Sequence, residues 1–153
     1  MYDVKSRIFH ELPEAPVMPG ILELMHQIQD DGIQIGVVTG RGQKPLIRRI
    51  LKNFGSFVDE AHITTASDVR RGKPEPDPYL KGLRKAGNLQ PNEAFVVENA
   101  PLGIRAGVAA KIFTIAINTG PLPAQTLLDA NADLLFPSMT DFSDNWKILM
   151  QSL

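Results

Sequence analysis

The stretch 94–107, AFVVENAPLGIRAG, limits the possible folds more than any other part of the chain. Ala94-Phe95-Val96-Val97 is short and apolar with a β-branched pair, the pattern of a strand buried on both faces. Polarity then switches abruptly to Glu98-Asn99. Pro101 follows, a residue that a helix tolerates only in its first turn. Gly103, Ala106, Gly107, Ala109 and Ala110 are small enough to let that helix lie close to a sheet. A carboxylate and a carboxamide thus stand where a buried strand ends and a helix begins. In open α/β sheets that is where ligands bind.

The same alternation runs through the chain. An amphipathic helix is predicted over 20–31, with Ile21, Leu24, Met25 and Ile28 on one face and Gly32 as its stop. A strand over 33–38 ends at Thr39-Gly40-Arg41-Gly42. A helix over 43–53 buries Leu46, Ile47, Ile50 and Leu51. The pieces 57–58 and 62–64 read as a peripheral strand and its approach. The segment 68–78, DVRRGKPEPDP, is a charged, proline-rich loop, and the helix 79–87 turns Tyr79, Leu80 and Leu83 inward. After the opening strand and its helix come a buried strand over 112–118, a helix over 124–130, a strand over 132–136 and a helix over 142–150 carrying Trp146. Such an order implies a parallel sheet covered by helices on both faces. Ahead of it, 1–12 reads as a short helix with a narrow Val4, Ile8, Leu12 stripe, and 13–20 as a linker with Pro13, Pro16 and Pro19.

Composition narrows the function classes. The chain has 153 residues, the size of one ordinary domain. Its net charge of −1 offers no basic field for nucleic acid, and no basic amphipathic helix suits a membrane surface. The absence of cysteine excludes disulfides, thiolate metal sites and cysteine nucleophiles. His10, His26 and His62 lack metal-ligand spacing. No apolar run approaches the ~18 residues of a membrane span, and no signal-peptide pattern opens the chain. The expectation is a cytoplasmic protein with no nucleic-acid or membrane partner.

Three polar corners could carry chemistry: Thr39-Gly40 after one strand, Lys73 in GKPEPDPY, and Glu98-Asn99 after another strand. A hydroxyl beside free backbone amides holds phosphate oxygens. An ammonium neutralises a transferring phosphoryl group. Carboxylate and carboxamide oxygens suit Mg²⁺. Each residue also has a plainer use. Thr39 equally suits a helix cap, Lys73 a solvated loop, Glu98 a helix dipole and Asn99 a turn. Arg41, between two glycines, suits either an anionic substrate or the open surface.

In order and spacing, strand-Thr-Gly, then GKP-x-P-x-PY, then strand-Glu-Asn-x-x-x-Gly resembles the haloacid dehalogenase (HAD) superfamily. Within it the chain resembles the β-phosphoglucomutase-like branch of phosphatases, pyrophosphatases and mutases, from Met18 to about Phe136. The resemblance implies a three-layer, Rossmann-like parallel sheet and a small phosphorylated substrate. It makes Thr39 and Lys73 catalytic and puts Thr39, Gly40, Arg41 and Lys73 at the substrate. It places Glu98 and Asn99 in the acidic motif that binds Mg²⁺. Asn99 departs from the aspartate usual there, which removes one negative charge from the set.

A second departure is larger. The family's nucleophile is the first aspartate of Asp-x-Asp-x-Thr, after the first, central strand, and its second aspartate is the general acid/base. No such run occurs in these residues. The resemblance therefore implies a chain that starts inside the last cap helix, with 1–16 as cap remnant and linker. Residues 17–153 would then be a core domain lacking its first central strand. Such a chain should not turn over phosphate esters alone. The two apolar sheet edges left by the absent strand invite aggregation or a collapsed sheet. Rival readings are a non-catalytic phosphate binder, a phospho-receiver domain and a dinucleotide-binding module. The receiver lacks an acceptor aspartate at a strand end. The dinucleotide module has Pro45 where its third glycine belongs.

Overall fold

The computed structural model describes residues 16–152. The helix expected over 1–12 lies outside the described residues. The elements are α1 Ile21–Asp30, β1 Val37–Val38, α2 Lys44–Phe54, β2 Ile63–Thr64, α3 Asp77–Lys85 and β3 Phe95–Glu98. They continue with α4 Pro101–Ala109, β4 Phe113–Ile117, α5 Ala124–Leu128, β5 Leu134–Phe136 and α6 Met139–Ser152. Strand pairing is parallel throughout the described residues: β1 with β2, β3 with β4, and β4 with β5. This is the expected α/β class. The ladder comes in two pieces, β1-β2 and β3-β4-β5, and β1 and β3 share no ladder.

Side-chain alternation along the strands sorts the helices into layers. Ile115 and Ile117 of β4 point to one face and meet Leu24 and Ile28 of α1 and Phe142 and Trp146 of α6. Ala116 points to the other face, among Ile104 of α4 and Leu127 of α5. Val96 of β3 lies on that second face with Tyr79 and Leu83 of α3 and Ala106 of α4. Glu98 is two residues beyond Val96, so it also projects toward α4. The small residues of α4 are needed for the close approach. A Cβ on Gly107 would stand 2.5 Å from Thr114 Oγ1, and Thr114 is fully buried on β4.

The first layer is tied by polar contacts. Gln27 of α1 donates to the Ser143 carbonyl and hydroxyl of α6 at 3.1 and 3.0 Å. Trp146 Nε1 donates to Asp31 Oδ2 at 2.7 Å. Gly20, at φ 85°, starts α1 hard against the start of α6; a Cβ there would be 2.8 Å from Thr140 Cα.

Four details differ from the sequence reading. The strand expected over 33–38 forms a ladder only at Val37–Val38. Ile33 and Ile35 still pack against the α1/α6 core, but β2 is only two residues long and offers them no ladder. Val97, expected to be buried, is 37% exposed because β3 is the edge of its sheet. The apolar side chains of α2 are half-buried at best, and none of its residues reaches the interior. Finally, α3 begins at Asp77 rather than 79, since Pro76 and Pro78 both fit a helix start.

Candidate active site

The site lies at the carboxyl ends of β1 and β3. Residue 39 directly follows β1, and its backbone N–H extends the ladder by donating to the Thr64 carbonyl at 2.9 Å. Its hydroxyl accepts from the Arg41 backbone N–H at 3.2 Å. Helix α2 instead starts after Gln43 with no side-chain cap, so Thr39 is not its cap. The loop before α3 brings Lys73 across from the side. Its ammonium donates to the Val38 carbonyl at 3.3 Å and pairs with Glu98 Oε1. One cation thus bridges the ends of the two ladder pieces.

Glu98 is bonded on both oxygens. Oε1 accepts from Lys73 Nζ and from the Tyr79 hydroxyl at 2.8 Å. Oε2 accepts from the backbone N–H groups of Asn99 and Ala100 at 3.1 and 3.3 Å, at the positive start of α4. The carboxylate has room only because residue 103 is glycine: a Cβ there would lie 2.1 Å from the Glu98 carboxyl carbon. Glu98 therefore serves the helix terminus and the lysine together. Tyr79 is buried, and desolvation, then the adjoining Glu98 charge, push its phenol well above the usual range. It remains a hydrogen-bond donor at any working pH.

A cavity of about 340 Å³ opens over these groups, lined by Thr39, Gly40, Thr65, Lys73, Glu98 and Gly103 among others. Of the residues singled out in the sequence, Thr39, Gly40, Lys73 and Glu98 come together there. Arg41 and Asn99 do not line it. Arg41 is exposed at the rim of the loop, and the Asn99 amide donates to Thr119 Oγ1 at 2.8 Å.

Three contributors were not anticipated. The Tyr79 hydroxyl was read only as part of a core position, yet a buried tyrosine needs a polar partner, and that need was visible in the sequence. Thr65 lines the pocket wall and is held by Asp68, whose Oδ2 accepts from the Thr65 N–H at 2.7 Å and its hydroxyl at 2.9 Å. Thr119 orients Asn99, and nothing in sequence spacing pointed to that pair.

Mg²⁺ needs several oxygen ligands gathered at one point. Among the described residues no group of three His, Cys, Asp or Glu side chains could hold a metal. Among the described residues the one carboxylate lining the pocket, Glu98, is already taken by Lys73, Tyr79 and two amides. Asn99 Oδ1 is the other oxygen of the acidic motif. A hard cation that needs near-octahedral oxygen ligation does not find a complete site in these side chains.

The chain's sequence and fold match a known group of proteins. Residues 2–117 match the family model described as haloacid dehalogenase-like hydrolase. The chain is 36% identical over 131 residues to validoxylamine A 7'-phosphate phosphatase of Streptomyces hygroscopicus subsp. limoneus, covering 86% of this chain and 59% of that protein. It is 39% identical over 122 residues to hexitol phosphatase A of Escherichia coli K12, covering 80% of this chain and 54% of that one. A solved structure of a candidate beta-phosphoglucomutase from Bacteroides vulgatus superposes with a TM-score of 0.93 at 49% identity, covering 99% of this chain and 61% of the other. The chain thus spans somewhat over half the length of these relatives. A family model matched over most of the chain, with relatives more than 30% identical, shows that the chain belongs to the haloacid dehalogenase-like hydrolase family.

Proposed function

We propose that this chain is the larger part of the core of a phosphohydrolase or phosphomutase acting on a small phosphorylated substrate through an aspartyl-phosphate. The observation that carries the reading is the shared pocket of Thr39, Gly40, Lys73 and Glu98 at the ends of β1 and β3. In it the Thr39 hydroxyl and the Gly40 amide hold phosphoryl oxygens, and the Lys73 ammonium offsets their charge. Arg41 sits on the same loop and suits the substrate's anionic side. A sugar or polyol phosphate is favoured, because the names of the relatives above describe such substrates.

Residues 1–153 contain no Asp-x-Asp-x-Thr run. The nucleophile and general acid/base would come from a segment outside them, along with a central strand between β1 and β3. The break in the ladder between those strands supports this. Mg²⁺ is implied by the family resemblance, but with Glu98 committed to Lys73 and Asn99 turned to Thr119 the described residues offer it no complete ligand set, and no step of the mechanism rests on it. Residues 1–16 fit a cap remnant and linker, and a cytoplasmic setting fits such substrates.

The test is direct. Purified chain 1–153 with p-nitrophenyl phosphate and Mg²⁺ should release no phosphate above the uncatalysed rate. It should still bind inorganic phosphate, and Lys73→Met and Thr39→Val should each weaken that binding at least severalfold. Turnover by the isolated chain, or phosphate binding indifferent to both substitutions, would refute the proposal.

A further inference from the structure

Tyr79 touches both members of the ion pair beneath the pocket. Its hydroxyl donates to Glu98 Oε1 at 2.8 Å, and the Lys73 ammonium stands 4.9 Å from the centre of its ring. Packing alone does not call for a tyrosine. The ring is buried among Leu83, Val96, Ala106, Ala110 and Ile112, where phenylalanine would serve equally well. A buried hydroxyl is costly unless it is bonded, and this one spends its proton on the carboxylate that holds the lysine. Tyr79 does not line the cavity, although its neighbour Pro78 does. Its influence must pass through Glu98 and Lys73.

We propose that Tyr79 is a positioning residue: its hydroxyl holds the Glu98 carboxylate so that the Lys73 ammonium stays turned toward the pocket with charge to spare for a bound anion. The proposal rests on the phosphoryl-site reading above. Two effects act in one direction. The hydroxyl shares Oε1 with the ammonium and draws negative charge away from it. The aromatic face steadies the cation from the side. Without the hydroxyl, Oε1 keeps the lysine alone, the pair closes on itself, and an incoming phosphate competes less well for the ammonium.

The experiment measures the affinity of chain 1–153 for inorganic phosphate by ³¹P NMR titration. It compares the parent, Tyr79→Phe, Lys73→Met, Thr39→Val and the double variant Tyr79→Phe/Lys73→Met. Tyr79→Phe should weaken binding roughly three- to tenfold, the scale of a lost hydrogen bond to a charged group after partial compensation. Its melting temperature should stay close to the parent's. In the Lys73→Met background the same substitution should have no further effect, since the path through the lysine is already gone. Parent-like affinity of Tyr79→Phe, an equal loss in both backgrounds, or failure of the variant to fold by circular dichroism would overturn the positioning role. If the parent binds no phosphate, or if Lys73→Met and Thr39→Val bind as the parent does, the phosphoryl-site reading itself fails and this inference with it.

Discussion

Replacing Gly103 with alanine sets helix propensity against the pocket's ion pair. Taken alone, the change should help: alanine in a helix is favoured over glycine by about 1 kcal/mol, partly through the unfolded chain. The added Cβ, however, would lie 2.1 Å from the Glu98 carboxyl carbon and Oε1 and 2.5 Å from Oε2. Gly103 is buried in the first turn of α4, whose backbone cannot retreat without breaking contact with β3 and β4. The carboxylate must move instead, giving up Lys73, the Tyr79 hydroxyl and two backbone amides. Its side chain is 12% exposed and that of Lys73 17%, so water replaces these partners only in part. Breaking a buried pair costs roughly 3–5 kcal/mol, and the partial exposure here brings that to about 2–4. Subtracting the propensity gain leaves a net loss of about 1–3 kcal/mol. Urea unfolding followed by far-UV circular dichroism should show this as a midpoint lowered by about 1 M at an unchanged slope. The decisive control is Gly103→Ala in a Glu98→Ala background, where the obstruction is gone and the substitution should become neutral or stabilising. A Gly103→Ala chain as stable as the parent, or an equal loss in both backgrounds, would refute the account of residue 103 as the space that Glu98 occupies.

Other outcomes follow from the same contacts. Gly20→Ala forces both a left-handed backbone and a clash with Thr140, whereas Gly32→Ala, at φ 70° with nothing within 4 Å, meets only the backbone term. Thermal melts should therefore show a loss of about 2–4 kcal/mol for the first and about 1–2 for the second. Trp146 is fully buried and bonded to Asp31. Trp146→Phe should cost about 2 kcal/mol in urea unfolding, mainly through the cavity it leaves, since water can take over the exposed Asp31 carboxylate. Asp68 is held below the usual carboxylate range chiefly by the Thr65 backbone N–H, with the Thr65 hydroxyl and Lys85 adding to it against desolvation. A depressed folded value means stability that is present above the unfolded value near 3.9 and lost as pH falls through the folded one. Asp68→Asn should flatten the acid side of the stability profile below about pH 4, and an unaltered profile would count against this.

How much was legible in the chain depends on what each feature needs. Thr39 and Glu98 stand at strand ends, and strand ends can be read from an abrupt loss of apolar character, as at Val38-Thr39 and Val97-Glu98. Once strand and helix alternate, parallel pairing puts the ends at Thr39 and Glu98 on one side of the sheet, while Lys73, in a loop, joined them only through the family resemblance in order and spacing. Side-chain direction at the ends was harder to see. Asn99 adjoins Glu98, yet it turns to Thr119 on the next strand's exit, a partner twenty residues on that no local pattern encodes. Glu98 read as an ion ligand because carboxylates at strand ends often are. Its engagement by Tyr79 depends on the rotation of α3 about its own axis.

Strand length and burial were misjudged for a different reason, and the reason bears on the pocket. A ladder is a property of two segments, so the apolar run 33–38 extends only as far as β2 reaches, and Val97 is buried only if something lies beyond β3. The short β1 and the exposed Val97 both adjoin the break between the two ladder pieces. Lys73 is the polar link across that break, bonded to Val38 on one side and Glu98 on the other. Its ammonium thus has two tasks that pull in different directions: joining two strand ends and meeting an anion in the cavity. A carboxylate shared with Tyr79 binds the lysine less completely than one held by the lysine alone. That sharing lets one side chain keep the strand ends together and still present positive charge to the pocket.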